Sequence, residues 1–209
     1  MPGVKRPYHA PVRIEQAART RHRILDAAAA AFAAHGWAGT TIASVARAAG
    51  VSPQAVHLSV GAKPALLVAA VERAVAGDQP DLPLAEREPF RTAFAPGATL
   101  PDRARAFAAG SRRVYQRAGP LFLVLAQAAP VDAELAALWE RARTRRLEDC
   151  QRLVQLTGPH RPAARRKLTD LLFVYSGPGM YADLTGDRGW TGEAYEAWLT
   201  DAVEALLGG

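Results

Sequence analysis

Cysteine is nearly missing from this chain. Cys150 stands alone, which excludes an intramolecular disulfide framework and suits a reducing compartment. Lysine is almost as scarce: Lys5, Lys63 and Lys167 are the only three among 26 basic side chains, and arginine supplies the rest. No segment approaches the roughly 20 uncharged apolar residues of a membrane span. The alanine run 27–34 is preceded by Asp26 and closed by His35-Gly36, with no cleavage site after it, so a secretory signal is not expected and a cytoplasmic protein is. Catalytic signatures are missing too: there is no glycine-rich phosphate loop, no HExxH and no GxSxG. The five histidines (His9, His22, His35, His57, His160) never fall at ligand spacing, so neither a metal nor a cofactor is expected. Cys150 lies on an apolar helical stripe, as a small core residue does more often than a nucleophile. An enzyme is not expected, and a helical small-molecule enzyme stands only as the lesser alternative.

Acid is what the first third lacks. Residues 1–63 hold eight bases (Lys5, Arg6, Arg13, Arg19, Arg21, Arg23, Arg47, Lys63) against Glu15 and Asp26, which accounts for the whole formal net charge of +6. The remaining residues are balanced. A charge confined in this way points to a polyanion-binding module on a neutral body. The 209 residues, 49% apolar and 22% charged, are ordinary globular values with room for a sizeable core.

Periodicity along the chain predicts helices throughout. Residues 1–13, with Pro2, Gly3, Pro7 and Pro11, read as a flexible basic arm. Ile24, Leu25, Ala28, Ala31 and Phe32 then recur at spacings of three and four, with Gly36 as a stop. Short helices over 42–49 and 53–59 precede a longer one over 64–76. Five prolines make 77–101 a largely irregular linker with room for one helical turn. Further stripes follow: Ala104 to Tyr115, an apolar run over 121–129, an amphipathic helix over 132–156, another over 162–176, and a last one over 191–207. No run alternates with period two, so the fold class is all-α. The expected division is a flexible basic arm (1–13), a basic helical domain (14–63) and a larger, neutral helical bundle (64–209).

Residues 42–60 meet the physical requirements of a helix-turn-helix. Ala46 is small enough for two helices to cross, Gly50 supplies the turn, and Val45, Ala49, Val51 and Val56 face inward. Ser52 can cap the second helix, with Pro53 at the first helical position, where its missing N–H costs nothing.

The run Ile24-Leu25-Asp26-Ala27-Ala28, Phe32, Gly36, Thr40-Thr41-Ile42, Val45-Ala46, Ala49-Gly50-Val51-Ser52, Lys63 and Leu66-Leu67 resembles the N-terminal domain of TetR-family transcriptional regulators. Asp187-Arg188-Gly189-Trp190, Tyr195 and Trp198-Leu199 look like the ending of many such proteins. The resemblance implies an Ω-shaped, all-helical homodimer that binds a palindromic operator and is released by a small-molecule inducer. Gln54 is the expected base reader, since its amide can pair with an adenine edge, and Ala55 could meet a thymine methyl. Thr41 and Lys63 are expected at phosphates, and His57 and Ser59 at the DNA. Arg47 is equally a phosphate contact or a solvated helix face. His57 stands where the family usually has tyrosine. Leu58, Ser59 and Val60 replace aromatics common there, and Ala62 replaces a polar cap. Those departures keep open a second reading, a regulator-like protein with altered DNA binding that acts through protein partners.

In the bundle, Leu172, Tyr175, Trp198, Leu199 and Val203 are expected at the dimer interface, or else in the subunit's own core. An inducer pocket would draw on Phe107, Tyr115, Phe122, Gln127, Trp139 and Tyr181. Gln127 is an amide in an apolar helix and needs a partner, whether ligand or backbone. Arg141, Arg143, Arg145 and Arg146 read as a solvated face.

Overall fold

The computed structural model of the protein describes residues 10–77, 82 and 84–208. Every regular element among them is helical. The chain divides into two compact units, Met1–Ala70 and Val71–Gly209. The division falls inside a helix, later than the boundary that charge suggests at Lys63.

The first unit is built on helix α1 (Ala10–Gly39), α2 (Ile42–Ala49), α3 (Pro53–Ser59) and the start of α4 (Lys63–Ala76). Helix α1 begins at Ala10, ahead of the expected Ile14, because Pro11 falls in the first turn, where proline is tolerated. Arg13 therefore belongs to a helix, while Lys5 and Arg6 of the expected arm lie outside the described residues. Gly36 does interrupt α1, at φ 64°, ψ −170°, and the buried Thr40 hydroxyl donates to its carbonyl at 2.9 Å. Ile24, Leu25, Ala28 and Phe32 of α1 close over Val45, Ala46 and Ala49 of α2, Val56 of α3, and Leu66 and Leu67 of α4.

The second unit comprises the end of α4, α5 (Phe90–Ala93), α6 (Leu100–Ala128), α7 (Ala133–Leu156), α8 (Pro162–Tyr175), α9 (Pro178–Ala182) and α10 (Gly192–Leu207). Helix α6 is central and packs along α10, α5 and α9. It runs unbroken through Gly119-Pro120, joining two stripes that the sequence presents separately. Pro120 removes one amide donor from the ladder, but Ala118, Gly119, Leu121, Val124 and Leu125 are buried around it, and tertiary packing holds the helix on both sides. The proline-rich stretch is more than a tether. It contains a 3₁₀ turn (Leu84–Glu86) and α5, and it plants Phe90, Ala93 and Phe94 in the core. Arg103 of α6, itself buried, fastens it by donating to the carbonyls of Ala93 (2.7 Å) and Ala95 (2.9 Å). After α8, Gly177-Pro178 starts α9, which runs into one π-helical turn, Asp183–Asp187.

Candidate nucleic-acid interface and the body that carries it

The crossing of α2 and α3 follows from its sequence. Thr41 caps α2, its hydroxyl accepting the Ser44 amide at 3.0 Å while the Ser44 hydroxyl accepts the Thr41 amide at 3.1 Å. Gly50 adopts φ 66°, a left-handed turn that a side chain would strain, and its amide donates to Ala46 and Arg47. Ser52 caps α3 by accepting the Ala55 amide at 3.1 Å, with Pro53 opening the helix. Val56 is fully buried and pins α3 by its inner face.

Pinning Val56 decides what α3 presents outward. Gln54, His57 and Leu58 are exposed and stand at i, i+3 and i+4, one face of the helix. Ala55 and Ser59 are half-buried on its flank, so both are less available to a partner than sequence spacing suggests. Leu58 is the residue that sequence reasoning passed over. It is 82% exposed, the most exposed large apolar side chain among the described residues. The 3–4 spacing from Gln54 places it on this face, whereas the family pattern marks the position only as a missing aromatic.

Thr41 and Arg47 are both exposed. Thr41's hydroxyl is already committed within its capping box, which gives it a structural duty beside any phosphate contact. Lys63 is half-buried. Its ammonium donates to the Trp37 carbonyl and lies 4.3 Å from the centre of the Trp37 ring, and partial burial lowers its pKa from the usual lysine value. Trp37 in turn stacks on Phe32. Arg21 of α1 reaches the Ser59 carbonyl at the end of α3, a brace from a basic residue that spacing alone left unassigned.

In the second unit the expected pocket residues separate. Tyr115, Phe122 and Tyr181 do come together, with ring centres 6.4 Å and 5.8 Å from Tyr115. Tyr115 is buried, donates to the Ser176 carbonyl at 2.7 Å, and has its phenol pushed up to about 12 by burial. Phe107 instead packs edge-on against Phe90. Trp139 is half-buried beneath Arg143. Gln127 is exposed on α6, so the premise that its amide sits in apolar surroundings fails in the single chain. Arg146 also leaves the expected solvated face: it donates to the Phe173 carbonyl and lies 3.5 Å over the Phe173 ring. A hollow of about 280 Å³ does exist in this unit, but α4, the 3₁₀ turn, α5 and α6 form it, with Arg87, Phe90, Arg113 and Arg117 among its walls.

The interface candidates also divide. Leu172, Leu199 and Val203 are fully buried within one chain and belong to its own core, so their assignment to a dimer surface is corrected. Tyr175 and Trp198 remain half-exposed with rings 5.9 Å apart, linking α8 to α10. Val174, 56% exposed on α8, is the apolar side chain that the core leaves outside. Its position one residue before Tyr175 hid it, because it breaks the stripe that marks the buried face.

No curated protein matches this sequence. Residues 24–70 match the family described as bacterial regulatory proteins, tetR family. Among solved structures, the chain is similar to a protein from Rhodococcus sp. classed as a TetR-family transcriptional regulator. The two share 20% identity, with a TM-score of 0.63 over 91% of this chain and 99% of that one. A second, from Mesorhizobium loti and classed in the same way, shares 19% identity, with a TM-score of 0.59 over 92% of this chain and 96% of that one. At these identities the likeness shows a common fold. The all-helical architecture of an N-terminal helix-turn-helix domain and a C-terminal helical domain is the one read from periodicity.

Proposed function

We propose that the chain is a ligand-responsive transcriptional regulator acting as a homodimeric repressor, a reading that the match of residues 24–70 to the tetR family of bacterial regulatory proteins supports. The observation that carries the reading is the outward face of α3. Gln54, His57 and Leu58 are held clear of the core by a fully buried Val56, within the only part of the sequence that carries excess positive charge. One amide, one imidazole and one apolar side chain on a short helix form a base-reading set that fits a major groove. Arg47 and Thr41 stand beside it for phosphates, and Lys63 would exchange its hold on Trp37 for one.

Two such heads are needed for a palindrome, and the exposed Val174 with the half-exposed Tyr175 and Trp198 supports dimerisation through α8 and α10. A ligand acts by differential affinity, favouring the conformer whose heads no longer match the half-site spacing. Footprinting on the DNA that flanks the protein's own gene tests this reading. A protected palindrome, lost when a member of a metabolite panel is added, is the expected result. No protected sequence at low salt, with dimerisation intact, would instead favour a protein that works through protein partners.

A further inference from the structure

The hollow in the second unit has a charge that its own residues do not balance. Arg113 and Arg117 stand four residues apart on α6, on one face of the helix, and Arg87 projects toward them from the turn after Leu84–Glu86. Among the described lining residues the one carboxylate is Glu88, and it is spent on Arg91 (2.8 Å) and Thr92 (3.0 Å). No ion pair among the described residues involves Arg87, Arg113 or Arg117. Burial lowers the pKa of Arg87 from the usual arginine value, and the nearby Arg117 guanidinium lowers it further. Like charges gathered beside a low-dielectric wall are costly, and a bound anion relieves that cost.

Part of the cluster has a purely structural duty. Arg87 donates to the carbonyls of Leu82, Val75 and Ala76, and Arg117 to Ala74, which satisfies the open end of α4. Gly77 makes room for this, since a Cβ there would lie 2.8 Å from a terminal nitrogen of Arg117. Capping does not explain Arg113, which is exposed and lines the same hollow. Nor does it use every donor: each guanidinium carries five N–H groups in a fork that matches a carboxylate.

Apolar groups share the lining with these arginines. Phe90 lies so close over Gly110 that a Cβ there would come within 2.6–2.7 Å of its ring, and Val114 and Leu84 continue the surface. The volume of about 280 Å³ lies just below the roughly 300–1,000 Å³ of drug-sized sites, so it suits a small molecule with one charged end. We propose that this hollow is the effector site and that its effector is a small organic monocarboxylate, gripped by Arg113 and Arg117, with an aromatic or short aliphatic body against Phe90 and Val114. The site rests on the reading of the chain as a regulator only for what binding does at DNA; the binding itself stands apart.

Calorimetric titration of the full chain with benzoate and hexanoate, against benzamide, hexanamide and inorganic phosphate at matched ionic strength, tests it. The acids should bind at least tenfold more tightly than the amides and than phosphate. Arg113→Gln should abolish that preference, while Arg113→Lys should retain part of it, with unchanged helicity in both variants. Because Arg113 holds no helix end, a folding defect does not confound the result; Arg117→Gln serves as a second variant. Equal binding of acid and amide, or an intact preference in both glutamine variants, overturns the proposal. So does phosphate binding as tightly as benzoate, which would reduce the cluster to a general oxyanion patch. Parallel titrations against operator DNA separate the two readings. Acid binding that leaves DNA affinity unchanged supports the site and contradicts ligand-responsive regulation. Release of DNA by other metabolites, with no acid bound, does the reverse.

Discussion

At the scale of single residues, burial corrects what spacing proposes. Gln54 and Leu58 share the face of α3 that Val56's burial turns outward, whereas Ala55 is drawn to its flank. The expected apolar contact with a thymine methyl is therefore better placed on Leu58 than on Ala55. Replacing thymine by uracil in an operator half-site should weaken binding of the natural protein and leave Leu58→Ala unaffected, as anisotropy titrations would show. Gln54→Ala should cost about 1–3 kcal/mol on the specific site and little on random duplex; equal losses on both would remove it as a base reader. Cys150 is fully buried, and burial pushes its thiol up to about 11, so almost none is thiolate at neutral pH. Iodoacetamide should leave Cys150 unmodified in the native protein and label it fully in denaturant, read by mass spectrometry.

At the scale of elements, local signals carried the reading where the chain is locally determined. Thr41, Gly50, Ser52 and Pro53 each do at a helix end what their chemistry dictates, and α2 and α3 have the bounds that those residues set. Ser52→Ala should destabilise the protein by about 0.5–2 kcal/mol in denaturant unfolding, since it strands the Ala55 amide. Elements decided by distant packing were less legible. Pro120 marks a break in isolation, yet α6 passes through it because its neighbours are buried on both sides. The prolines of 77–101 suggest a tether, while Phe90 and Phe94 make that stretch part of the core. The hollow was out of reach for the same reason. Arg87 is distant in sequence from Arg113 and Arg117, and nothing in that spacing says that they meet. Tyr195 shows the same limit from the other side: its buried hydroxyl has no partner among the described residues, although the sequence offers several tyrosines that could have paired with it.

At the scale of the molecule, charge and fold divide the chain at nearby but different places, after Lys63 and after Ala70. The basic third overlaps the stretch that matches the tetR family, residues 24–70, with six of its eight bases lying ahead of that match, and Val71–Gly209 forms a helical unit with its own core. In the proposed function, dimerisation would turn one reading head into two. Val174→Asp should convert a dimer to a monomer in sedimentation analysis without loss of helicity, because Val174 contributes nothing to the single chain's core. A dimer that survives the substitution would place the interface elsewhere. The central claim, that the outward face of α3 reads operator DNA, is tested most directly by anisotropy titration. A duplex from the gene's own flank should be compared with a scrambled duplex across a range of salt concentrations. The account predicts tight binding to the first, weaker by a factor of about 10³ or more on the second, with affinity for both falling steeply as salt rises. Equal affinity for the two duplexes, or no salt dependence, would contradict it.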